Sequence, residues 1–171
     1  YLPEPIAHEQ QNWFAIYPIA RAPEFAISQP ATANFGNAIV LNGYDVATGV
    51  SGGTLPVTLY WRVLAQPAAD FKPFVHLEDQ WGGRWGGAAP FALPSAQWQR
   101  GDVIVQRVDV PVRDGTPPGQ YRLRVGLFNE ATGERLPKLD ENGRFAGSSH
   151  LIEDAPIAPA TAPATEAITP A

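Results

Sequence analysis

Residues 55–63 read Leu-Pro-Val-Thr-Leu-Tyr-Trp-Arg-Val, and their alternation constrains the chain more than anything else in it. Leu55, Val57, Leu59, Trp61 and Val63 point one way, while Thr58, Tyr60 and Arg62 point the other. Successive side chains of a strand face opposite sides of a sheet, so this is the pattern of a half-buried β-strand. The pattern returns at 73–78, where Val75 and Leu77 oppose Phe74 and His76. At 103–112 the inner face is Ile104, Val108, Val110 and Val112, and Gln106 breaks it, which suggests a bulge. At 121–127, Tyr121, Leu123, Val125 and Leu127 oppose Arg122 and Arg124. Residues 39–44 read as the first strand of the body and 150–152 as the last. The faces bearing Tyr60, Arg62, Arg122 and Arg124 are expected to be solvated.

No stretch sustains a 3.6-residue apolar period. The 16 glycines and 18 prolines make up about a fifth of the 171 residues, which suits many short elements joined by turns. The expected fold is all-β: a two-sheet antiparallel β-sandwich, immunoglobulin-like or jelly-roll, with about seven to eight strands. The expected organisation is an N-terminal extension over 1–32 with one apolar strand, a sandwich over 33–154, and a Pro/Ala/Thr-rich tail or linker over 155–171.

Composition removes several classes of function. The formal net charge is -5, and no Lys/Arg cluster offers the concentrated basic surface that phosphate neutralisation requires, so nucleic acid is not an expected partner. Cysteine is absent, which excludes disulfides, thiolate metal sites and cysteine nucleophiles. No apolar run approaches the ~20 residues of a membrane helix, so no membrane insertion by this chain is expected. No run reads as a signal peptide either, which fits a mature form or an excised extracytoplasmic domain.

Catalytic patterns are equally thin. There is no Gly-x-Ser-x-Gly elbow, and histidine occurs only at 8, 76 and 150. Ser95, His76 and Asp79 make a triad on paper, with no spacing to support it. His76 and Glu78 share a strand face next to Asp79, but two ligands specify no metal, and a solvated strand edge explains them as well. Asp140-Glu141-Asn142-Gly143 reads as a plain turn, with weak calcium binding as the rival reading. The acids are scattered over turns and ends and suggest no glycosidase pair. The expectation is therefore a non-enzyme without metal or cofactor.

Two segments invite binding hypotheses. Residues 81–87 place Trp81, Arg84 and Trp85 among glycines. Exposed tryptophans stack on sugar rings and an arginine hydrogen-bonds hydroxyls, so these three are the candidate ligand-binding residues, with glycan as the ligand. In the rival reading the loop folds back and the tryptophans cap the sandwich, as buried aromatics usually do. Trp61 and Trp98 are expected in the core. The second segment is Trp13, Phe14, Ile16 and Tyr17, an apolar strand that would either pack on its own domain or add to the sheet edge of a protein partner or a second copy.

An ordered set of motifs spans roughly 34–152. It comprises Asn34-Phe35-Gly36, Leu41-Asn42-Gly43-Tyr44-Asp45, Val57-Thr58-Leu59-Tyr60-Trp61-Arg62, Phe74-Val75-His76-Leu77, Pro94-Ser95-Ala96-Gln97-Trp98-Gln99-Arg100-Gly101-Asp102, Pro117-Pro118-Gly119-Gln120-Tyr121, Gly126-Leu127-Phe128 and Thr132-Gly133-Glu134-Arg135-Leu136-Pro137. The set resembles an uncharacterised β-sandwich domain that follows the membrane part of bacterial glycosyltransferases of the dolichyl-phosphate-mannose protein mannosyltransferase type (family 39-like) and occurs in other envelope proteins. The resemblance implies an extracytoplasmic accessory module without the transferase's catalytic acids. The family carries a polar, Asp-containing segment after the Phe-Val-His-Leu strand, where this chain is rich in Gly and Trp. The expected function is thus a non-catalytic accessory or binding module at the cell surface. The alternative is a structural or protein-interaction subunit.

Overall fold

The computed structural model describes residues 26–89 and 94–160. Among these residues, ten strands build two five-stranded sheets. In order across the first sheet stand β7 (Val103–Pro111), β4 (Thr54–Val63), β2 (Ile39–Val46), β1 (Gln29–Phe35) and β9 (Lys138–Leu139). The second sheet runs β3 (Gly49–Val50), β10 (His150–Ala158), β8 (Gly119–Phe128), β5 (Lys72–Glu78) and β6 (Arg84–Ala88). Neighbours are antiparallel except β3 and β10, which pair in parallel. The only helical element among the described residues is a 3₁₀ turn at Ser95–Gln97, and no helix there is long and apolar enough to cross a membrane. This is the two-sheet β-sandwich that the alternating strands call for.

The core lies between the sheets. Leu55, Val57, Leu59, Trp61 and Val63 of β4 meet Val75 and Leu77 of β5 and Leu123, Val125 and Leu127 of β8, all buried. Trp61 packs edge-on against Phe35 at 6.0 Å between ring centroids, and Trp98 is buried as expected. Tyr121, at the start of β8, donates its hydroxyl to the Pro117 carbonyl at 2.8 Å and so pins the β7–β8 corner.

Several local expectations need correction. The strand count rises to ten because β1, β6 and the two-residue β3 and β9 carry little apolar alternation. Strand β1 begins at Gln29, and β10 runs to Ala158 with Ala155 and Ile157 buried, so strands overrun both the 32/33 and the 154/155 positions. Gln106 makes no bulge: β7 pairs with β4 in unbroken register, Gln106 opposite Leu59. Its side chain turns inward, and neither amide atom finds a hydrogen-bond partner among the described residues. Tyr60 is not solvated. It is 7% exposed, and its hydroxyl donates to Asp45 Oδ2 of the neighbouring β2 at 2.5 Å. That bond, with burial, raises the phenol to about 12.

The largest surprise is β6. Gly86 and Gly87 read as loop residues, yet both lie in a strand. Gly86 bridges Val112 across the sandwich edge, and Arg113 N–H donates to the Trp85 carbonyl at 2.9 Å. A Cβ on Gly86 would stand 2.2 Å from the Pro111 carbonyl oxygen. Glycine there serves close approach of two backbones, which lets β6 close the edge between the sheets. The segment Trp13, Phe14, Ile16 and Tyr17 lies outside the described residues.

Candidate functional site

The β5–β6 connection is organised by one carboxylate. Asp79 Oδ1 accepts from the backbone N–H of Trp81 at 2.9 Å and of Gly83 at 2.7 Å, and Oδ2 accepts from Trp85 Nε1–H at 2.9 Å. These bonds, the one from Trp85 first, hold the Asp79 carboxyl below its usual range despite some desolvation. Gly83 is needed beside it, since a Cβ there would sit 2.5 Å from Asp79 Oδ2.

The consequence is that Trp81, Arg84 and Trp85 go three ways. Trp81 is 83% exposed at the turn. Trp85 packs against the core and meets Tyr121 edge-on at 6.3 Å. Arg84, one residue earlier on β6, takes the opposite face, as strand alternation requires. The two tryptophans therefore form no common stacking platform: Trp81 is free in solvent and Trp85 caps the sandwich.

Arg84 faces an open groove on the outer side of β5, β6 and β8, with a volume of about 290 Å³. The floor is aromatic. Phe74 lies 4.8 Å from the His76 ring and 6.2 Å from the Phe128 ring, centroid to centroid. Gly126 lets Phe74 lie across β8, because a Cβ there would meet the Phe74 ring at 2.6 Å. Arg135 arrives from the β8–β9 connection, where Phe128 and Arg135 form a bridge, and its guanidinium sits 4.6 Å above the Phe74 ring. That is the geometry of a cation–π contact. Gly87 completes the floor: a Cβ would fall 2.4 Å from Arg84 Nη2, so the guanidinium can fold over the strand, and its Nε–H donates to the Gly86 carbonyl at 3.2 Å.

His76 sits in this groove as a neutral ring. Burial, followed by the charges of Arg84 and Arg135, lowers it to about 4, with Arg124 adding to the effect and Glu78 opposing it. Glu78 is itself bound by Arg124, whose Nε–H lies 3.1 Å from Oε1 and 3.0 Å from Oε2. The paper triad is scattered: Ser95 is fully buried away from His76, accepting from Phe71 N–H at 2.7 Å and lying 3.3 Å from Asp70. Asp140 caps its own turn, Oδ1 accepting from Asn142 N–H at 2.9 Å and Arg144 N–H at 2.8 Å.

Of the groove residues, sequence reasoning singles out Arg84 for binding and misses Phe74, Phe128 and Arg135. Phe74 and His76 do stand on the outer face of a strand in the sequence pattern. Two aromatic rings at alternate positions on a face that should be polar are the available signal.

No family model matches this sequence, and no curated protein does. Among solved structures, the chain is similar to the C-terminal domain of wzt, with 12% identity over 78% of this chain and 84% of that one and a TM-score of 0.53. At that identity the likeness speaks for the fold alone, and the fold it shares is the two-sheet β-sandwich.

Proposed function

We propose that this chain is a non-catalytic, extracytoplasmic accessory module that binds glycan on the outer face of β5, β6 and β8. The carrying observation is the groove itself: half-buried His76 and Phe128 rings, backed by the buried Phe74 and flanked by Arg84 and Arg135. Sugar rings present apolar faces that stack on aromatic side chains and hydroxyls that accept from guanidinium groups. Trp81, solvent-exposed on the turn before Arg84, supplies a further stacking surface. Arginine's planar fork fixes a hydroxylated ring better than a lysine would. An envelope location beside a glycosyltransferase belongs to the same proposal, resting on the motif resemblance.

The test is affinity electrophoresis against a panel of soluble polysaccharides, with wild type beside Arg84→Ala and Trp81→Ala. Retardation of the wild type that Arg84→Ala abolishes, with an unchanged circular dichroism spectrum, supports the reading. Absence of retardation across the panel refutes it and turns attention to a protein partner.

A further inference from the structure

Charge on the outer face of the second sheet is unevenly matched. Lys72 pairs with Glu130, Arg122 with Glu153 and Arg124 with Glu78. Arg84 and Arg135 have no ion-pair partner among the described residues, and both open onto the same groove. No carboxylate among the described residues lines that groove, although the chain has 17 acidic residues against 12 basic ones. The remaining polar group there is His76, which is neutral at pH 7 and able to donate one N–H. Around it, Gly87 and Gly126 remove the side chains that would fill the floor. A cavity with two unmatched guanidinium groups over an aromatic floor is built for a planar or tetrahedral anion attached to a ring.

We infer that the groove between Arg84 and Arg135 recognises an anionic glycan, a sugar bearing a carboxylate or phosphate group held by the two guanidinium groups while its ring rests on Phe128 and the His76 ring, both half-buried, above the buried Phe74. This rests on the glycan reading above and narrows it to one substrate class. The anion takes the place of the missing carboxylate, Arg84 and Arg135 donate to its oxygens, and His76 donates from its neutral ring. Burial holds His76 down first and the two arginine charges second, and an anion seated there offsets the arginine charges, which favours the protonated ring.

The experiment compares retardation by polygalacturonate (carboxylate), a phosphate-bearing mannan, and the neutral polymers dextran and unsubstituted mannan, for wild type and Arg84→Gln/Arg135→Gln. The expected result is binding to an acidic polymer that weakens with added salt and falls about tenfold for each arginine removed. Which acidic polymer binds assigns the carboxylate or the phosphate. Equal binding of neutral and acidic polymers that the double substitution still weakens overturns the anionic inference and leaves the glycan reading standing, whereas equal binding untouched by the double substitution overturns both. No binding to any polymer overturns both. The His76 titration followed by NMR in wild type needs no variant: an upward shift with an acidic oligosaccharide and none with a neutral one is expected. An unmoved titration with bound acidic sugar overturns the placement.

Discussion

Trp85 Nε1–H donates to Asp79 Oδ2 at 2.9 Å, and that bond fixes which of the two turn tryptophans faces the core. With the same carboxylate tying down the N–H groups of Trp81 and Gly83, the turn is rigid enough to hand Arg84 to the groove. Asp79→Ala removes all three bonds. It is expected to speed amide exchange over residues 80–85 and to change the near-ultraviolet circular dichroism of Trp85, with the sheets intact. Unchanged exchange would show that the turn holds without Asp79.

Gly86 faces the Pro111 carbonyl so closely that β6 and β7 cannot both keep their places if a methyl is added. Gly86→Ala is expected to destabilise the protein by about 1–3 kcal/mol, the usual range for overpacking. Denaturant unfolding measures it. A loss near zero would mean that the edge between the sheets yields freely.

Trp61 is fully buried, and its indole N–H has no hydrogen-bond partner among the described residues. Trp61→Ala opens a large cavity and is expected to cost about 3–5 kcal/mol. Trp61→Phe keeps most of the ring and removes the unpaired donor, so its cost should stay below about 1.5 kcal/mol. Equal losses in the two variants would show that packing is not what the indole contributes.

Neutral His76 gives the fold a pH dependence with a definite sign. Its ordinary 6.5 falls to about 4 in the folded chain, through burial first and then Arg84 and Arg135, and burial lowers His150 as well. The unfolded chain therefore takes up protons first as pH falls. Stability is fully present above about pH 6.5 and is lost as pH drops toward about 4. Thermal melts should show this decline, and His76→Gln should flatten part of it. A wild-type melting temperature constant between pH 6.5 and 4.5 would contradict the lowered values.

Much of this was readable in the residues, and what was not has physical reasons. Leu55 to Val63 and Tyr121 to Leu127 announce strands because one face of each is continuous hydrocarbon. β1 escapes notice because its inner face is built largely from small residues such as Ala31 and Ala33. β6 escapes because glycine signals a turn and a close backbone contact with the same letter. Arg84 stands out as a lone charge among glycines. Arg135 does not, since only the tertiary fold carries it over Phe74. Whether Trp81 and Trp85 act together depends on Asp79, whose three hydrogen bonds leave no periodic trace.

Amide chemical-shift mapping of the whole chain during titration with acidic and neutral oligosaccharides decides where, and whether, sugar binds. Shifts confined to the strands of Phe74, His76, Arg84 and Phe128 and to the connection bearing Arg135 are the expected outcome. Shifts centred on the opposite sheet, or none with any oligosaccharide, would contradict a glycan site on this face.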